Sequence, residues 1–189
     1  KDGTLADLVP EATVKVEFAI VGTTLVAKRI EFTRLNAPAE VTAQVTATDG
    51  TTVELFGPDG VTLTFAERAR LEDRSGAKER NLKVPDLRVG DRISVRGNQV
   101  DEAVVVVDRL ERTRPGALVT VGARALSIAA PDFTLLDTLV RTTAETAYVD
   151  ENGAAITAEA FFTRAPGHKI SVTGTAVANV ITAAIARIE

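Results

Sequence analysis

The chain has 189 residues and a net charge of −4; 45% of it is hydrophobic and only 4% aromatic, and it holds no Cys, Met or Trp. The lack of Cys excludes disulfides, zinc–thiolate centres and thiol nucleophiles, and no apolar run approaches the ~18 residues of a membrane-spanning helix. Residues 1–38 carry 5 basic and 5 acidic groups, 39–114 carry 12 and 14, and 115–189 carry 5 and 7, so no segment has the basic excess of a nucleic-acid binder.

Val14, Val16 and Phe18 alternate with polar residues and predict a strand, which Gly22-Thr23 turns into a return strand ending Arg29-Ile30-Glu31. Asn36-Ala37-Pro38 reads as a short linker. Val53 and Leu55, then Val61, Leu63 and Phe65, predict strands separated by turns at Asp49-Gly50 and Asp59-Gly60. Residues 78–87 include Pro85 and leave room for one helical turn at most. The continuous apolar run at 104–107 predicts a strand buried on both faces. Thr113-Arg114-Pro115-Gly116 is a second linker, Asn152-Gly153 a turn, and Thr157 the cap of a short helix over 158–163.

One segment occurs twice. Gly90-Asp91-Arg92-Ile93-Ser94-Val95-Arg96-Gly97 returns as Gly167-His168-Lys169-Ile170-Ser171-Val172-Thr173-Gly174, an offset of 77, which also relates Asp73 to Asp150 and Gly76 to Gly153. Arg109-Leu110-Glu111 and Arg187-Ile188-Glu189 match at an offset of 78. Pro58-Asp59 aligns with Pro131-Asp132, which leaves about four extra residues near 134–137 in the second copy. The hairpin near 8–33 reads as the second half of a further copy. The expected fold is all-β: tandem small OB-like or Greek-key β-barrels with at most short helical turns. The expected parts are a truncated repeat at 1–36, a first full repeat at 39–113 and a second at 116–189. With no Met in the chain, Lys1 is read as the start of a processed or truncated product.

These strands, turns and the Gly-Asp-Arg-Ile-x-Val-x-Gly segment resemble a family of small bacterial β repeats of unknown function. The family is found in tandem in exported or envelope-associated proteins. The resemblance implies the fold and an extracytoplasmic location, periplasmic, envelope or secreted, and supplies no activity. His168 departs from the pattern where the first copy has Asp91, and Phe18 departs where both copies have glycine.

Candidate sites are few. Arg68, Arg70, Arg74 and Arg80 are candidates for an anion-binding patch, although the interleaved Glu67, Glu72, Asp73 and Glu79 favour a solvated salt-bridge face. Phe161 and Phe162 are adjacent on the expected helix, so both cannot face one core, and they are candidates for an interface. His168, the only histidine, reads as a turn residue, as does the acidic loop 150–153, which lacks the ligand spacing of a calcium loop. No catalytic residue, metal site or cofactor motif is identified, and an enzyme is not expected. The sequence therefore predicts a structural or interaction module, a spacer or platform for another protein or for neighbouring repeats. The competing reading is a binding module for an oligosaccharide or an anionic ligand.

Overall fold

A computed structural model describes residues 14–21, 24–32, 37–58, 60–76 and 81–189. The expected turn at Gly22-Thr23, the linker residue Asn36, and Asp59 and Arg80 lie outside the described residues. The chain divides into two compact units, 1–36 and 37–189.

In the first unit, β1 (Val14–Val21) and β2 (Thr24–Phe32) form a two-stranded antiparallel sheet. The ladder slips by one residue after Glu17↔Arg29, so that Phe18 faces Ala27.

The second unit is one 12-stranded sheet. It begins with β3 (Ala37–Thr48), β4 (Val53–Leu55) and β5 (Thr62–Asp73). A 3-10 turn at Val84–Asp86 leads to β6 (Arg92–Asp101) and β7 (Val104–Thr113). Apolar residues at every second position drive each of these strands. Ala39, Val41, Ala43 and Val45 on β3, and Ile93 and Val95 on β6, are all at most 3% exposed. The run 104–107 is buried at Val105 and Val107 and only half-buried at Val104 and Val106, so the strand has one inner face and not two. Pairing runs β3–β4–β5–β7–β6 and returns from β6 to β3, a closed circuit in which β5 and β7 are parallel.

The remaining strands trace the same path. They are β8 (Val119–Ala129), β9 (Asp132–Leu135), β10 (Thr138–Arg141), β11 (Ala147–Val149) and β12 (Ala155–Ile156). After α1 (Ala158–Arg164) come β13 (Lys169–Val177) and β14 (Val180–Ile188). Here β8 pairs β9, β9 pairs β10, β10 and β11 run parallel to β14, and β13 closes the circuit onto β8. Thr157 caps α1, its Oγ1 accepting from the Ala160 N–H at 3.2 Å.

The fold is thus all-β, but separate OB-like barrels in tandem are not what forms. β3 and β8 hydrogen-bond to each other, so both circuits belong to one continuous coiled sheet. Ala37 and Pro38, expected in a linker, already belong to β3. At the β3–β8 seam Val41 faces Val121, Glu40 faces Gly122 and Thr42 faces Thr120. Ala43 pairs Ile93 just as Ala123 pairs Ile170, which makes Val41 and Val121 equivalent positions. The two first strands therefore meet antiparallel about a local two-fold axis. Beside the seam, buried Gly57 packs so closely that a Cβ there would lie 2.7 Å from the Ala176 Cβ.

Candidate functional site

The second circuit departs from the first most at its third strand, which is split into β10 and β11, and at the connection that follows. Between its third and fourth strands it has α1, where the described residues of the first circuit hold a 3-10 turn flanked by buried Leu82 and Leu87. The Asn152-Gly153 turn joins β11 to β12, and the Thr157 cap then starts this helix. One stripe of α1 carries Phe161 and Ala165, both 0% exposed. Phe161 is therefore a core residue. Phe162 is half-buried on the neighbouring stripe. Phe133, Tyr148, Phe161 and Phe162 form one cluster, with ring centroids 5.1 to 6.1 Å apart.

Above this cluster opens a cleft of about 610 Å³. Tyr148 and Phe162 form its floor, and Pro131, Ala144 and Ala158 lie in its walls. Thr142, Thr143, Thr163 and Glu159 bring polar groups to it. The Thr142 hydroxyl donates to the Pro131 carbonyl at 2.7 Å, and the Thr163 hydroxyl to the Glu159 carbonyl at 2.8 Å. Thr143 Oγ1 accepts from the Glu145 N–H at 3.2 Å. The Glu159 carboxylate has no hydrogen bond or ion pair among the described residues, and no Lys, Arg or His lines the cleft.

Arg68, Arg70 and Arg74 do not line the cleft. Arg68 and Arg70 are exposed on β5. Arg74 binds Glu72 at 3.0 Å and Glu111 at 3.7 Å, and Arg109 binds Glu111 at 2.7 Å and Glu72 at 3.4 Å. The hydrogen bond from Arg74, helped by Arg109, holds the Glu72 carboxyl below its usual range. These are solvent-screened surface pairs of small energetic weight. Arg80 lies outside the described residues. His168 is an exposed turn residue whose N–H donates to the Ala165 carbonyl.

The acidic loop at 150–153 is used up internally. Asp150 Oδ1 accepts from the N–H groups of Ala154 at 2.8 Å and Asn152 at 3.0 Å, and Arg164 lies 3.7 Å from Oδ2. The Ala154 N–H above all, with Asn152 and Arg164, lowers the Asp150 pKa. No group of three or more acidic or histidine side chains placed to hold a metal occurs among the described residues.

Residues 42–111 are similar to DUF5666, a domain of unknown function. The match covers the first circuit from within β3 to within β7. No curated protein and no solved structure matches the chain. The cleft lies beyond that match, in the second circuit. Phe162, singled out in the sequence as an interface candidate, lines the cleft, whereas Tyr148, Glu159 and the three threonines were not singled out. The available signal was the gathering of four of the eight aromatic residues between 133 and 162.

Proposed function

We propose that the protein is a non-catalytic interaction module of an exported bacterial protein, in which tandem β units form a rigid body and the N-terminal hairpin supplies an adhesive face. The strand order within each circuit, one-two-three-five-four and back to one, supports an OB-like origin for the units. The observation that carries the interaction reading is the hairpin. Val16, Phe18 and Ile20 alternate onto one face and are 41%, 57% and 71% exposed, whereas Val95 and Val172, which hold the place of Val16 in the other hairpins, are 0% exposed. A two-stranded sheet is marginal by itself, and an apolar face of this kind favours a covering partner.

The test is affinity capture from envelope and secreted fractions, with the intact chain as bait beside the variant Phe18→Glu/Ile20→Lys. A protein retained by the natural chain and lost from the variant supports the reading. Equal retention by both, or none by either, removes the hairpin as the binding face.

A second reading has its own observation. The aromatic cleft of the second circuit, with convergent hydroxyls and a free carboxylate, has the make-up of a small-molecule site. It favours a ligand-binding role centred on Phe162 over one centred on the arginines of β5.

A further inference from the structure

We infer that the cleft beneath the second circuit takes a neutral pyranose unit of a glycan, stacked on Phe162 and held through its hydroxyls by Glu159, Thr142 and Thr143. This rests on the ligand-binding reading above and narrows it to one class of ligand.

The charge of the cleft decides first. Its only ionisable lining groups are Glu159 and the Tyr148 phenol, and no cation lines it. A phosphate, sulfate or uronate would meet a like charge there with no cation beside it. The hydrogen-bond inventory decides next. Thr142 and Thr163 have spent their protons on backbone carbonyls and offer lone pairs. Thr143 already accepts a backbone N–H and has its proton free. The Glu159 carboxylate offers both oxygens. The set is rich in acceptors and has one free side-chain hydroxyl donor besides the phenol, which suits a ligand with several O–H donors and at least one acceptor. A sugar ring with adjacent hydroxyls is such a ligand.

The aromatic floor supplies the rest. The C–H faces of a pyranose carry partial positive charge and sit well on the negative face of an aromatic ring. Phe162 is half-buried, and its ring packs T-shaped with those of Phe161 at 87° and Phe133 at 72°. A platform already fixed loses little entropy when a ligand settles on it. An organic ammonium would need several ring faces around its charge. Here Phe133, Phe161 and Tyr148 are 1%, 0% and 9% exposed, which leaves Phe162 as the available face. Among the described residues of the corresponding connection in the first circuit, the buried side chains are Leu82 and Leu87 and none is aromatic.

The experiment is an amide-shift titration of the intact 15N-labelled chain. The probes are a neutral β-1,4-glucan tetramer, a neutral N-acetylglucosamine tetramer, a uronate tetramer and choline. Saturable shifts at Thr143, Glu159 and Phe162 with a neutral tetramer are expected. Phe162→Leu, which keeps the core filled but removes the ring, should weaken that binding about tenfold. Glu159→Gln, at an exposed helical position, should weaken it by a smaller factor and leave the spectrum otherwise unchanged. Saturation by the uronate or choline alone would overturn the sugar assignment and leave the ligand-binding reading standing. No saturation by any probe, or neutral-sugar binding indifferent to Phe162→Leu, would overturn the inference.

Discussion

Asp73 and Asp150 hold equivalent places and solve the same problem differently. Asp73 Oδ1 accepts from the N–H and hydroxyl of Ser75, and its Oδ2 receives Arg112 Nη2 at 2.7 Å with both side chains buried. The register that sets Asp73 against Arg112 sets Asp150 against the position of Ile188, so Asp150 relies on backbone N–H groups and on Arg164. Because these lower its folded pKa, Asp150 contributes stability above its unfolded value of roughly 3.9, and that stability is lost as pH falls through the folded value. Asp49 and Glu72, also lowered, act with the same sign. The expected outcome is that Asp150→Asn lowers the urea midpoint at pH 7, and that its difference from the natural chain shrinks as the solution is acidified below about pH 4. A difference independent of pH would mean that the carboxylate charge is immaterial to the turn.

At the scale of elements, the closing hairpins share one irregularity. β6–β7 slips between Arg96 and Gly97, and β13–β14 between Thr173 and Gly174, each with one extra residue on the second strand. A Cβ on Gly97 would lie 2.0 Å from the Val106 carbonyl oxygen, and one on Gly174 would lie 2.1 Å from that of Thr182. Gly167 has a positive φ of 83° and open space around it. Alanine at 97 or 174 should therefore cost about 3 kcal/mol, and at 167 about 1 kcal/mol. Chemical denaturation of the three variants checks the order; similar costs for all three would contradict the close approach.

The repeated Gly-to-Gly segment was legible in the sequence because it is this hairpin strand, fixed by a turn at one end and a close approach at the other. Its partner strand was misaligned. Arg187-Ile188-Glu189 resembles Arg109-Leu110-Glu111, but the register puts Ala186 where Leu110 stands, two residues away from that match. A slip of two keeps every side chain on its face, so periodicity alone cannot detect it. Pro131 was misplaced for a similar reason. It lies in the turn between β8 and β9, opposite 49–52 of the first circuit, and the longer connection is 56–61 in the first circuit and not 134–137 in the second. The surface character of the β5 arginines was readable from their alternation with carboxylates. The cleft was not, because its residues come from a turn, a strand break and a helix that only the closed circuit brings together.

At the largest scale, the seam joins the two circuits of residues 37–189 into one sheet. Tyr148, the only Tyr in a chain without Trp, reports on the second circuit alone. If the continuous sheet unfolds as a unit, Gly97→Ala in the first circuit moves the Tyr148 fluorescence midpoint as far as it moves the far-ultraviolet dichroism midpoint. A Tyr148 transition left in place would show that the seam does not couple the circuits.

The symmetry of that seam sets a valence. Each first strand brings a single edge, and Val41 against Val121 uses both at once. A head-to-tail contact could recruit a third circuit, then a fourth; a self-complementary one is saturated at two. Circuits of this kind are therefore counted in pairs. An odd one left over in a longer chain would keep an unsatisfied backbone edge, open to whichever strand reaches it first.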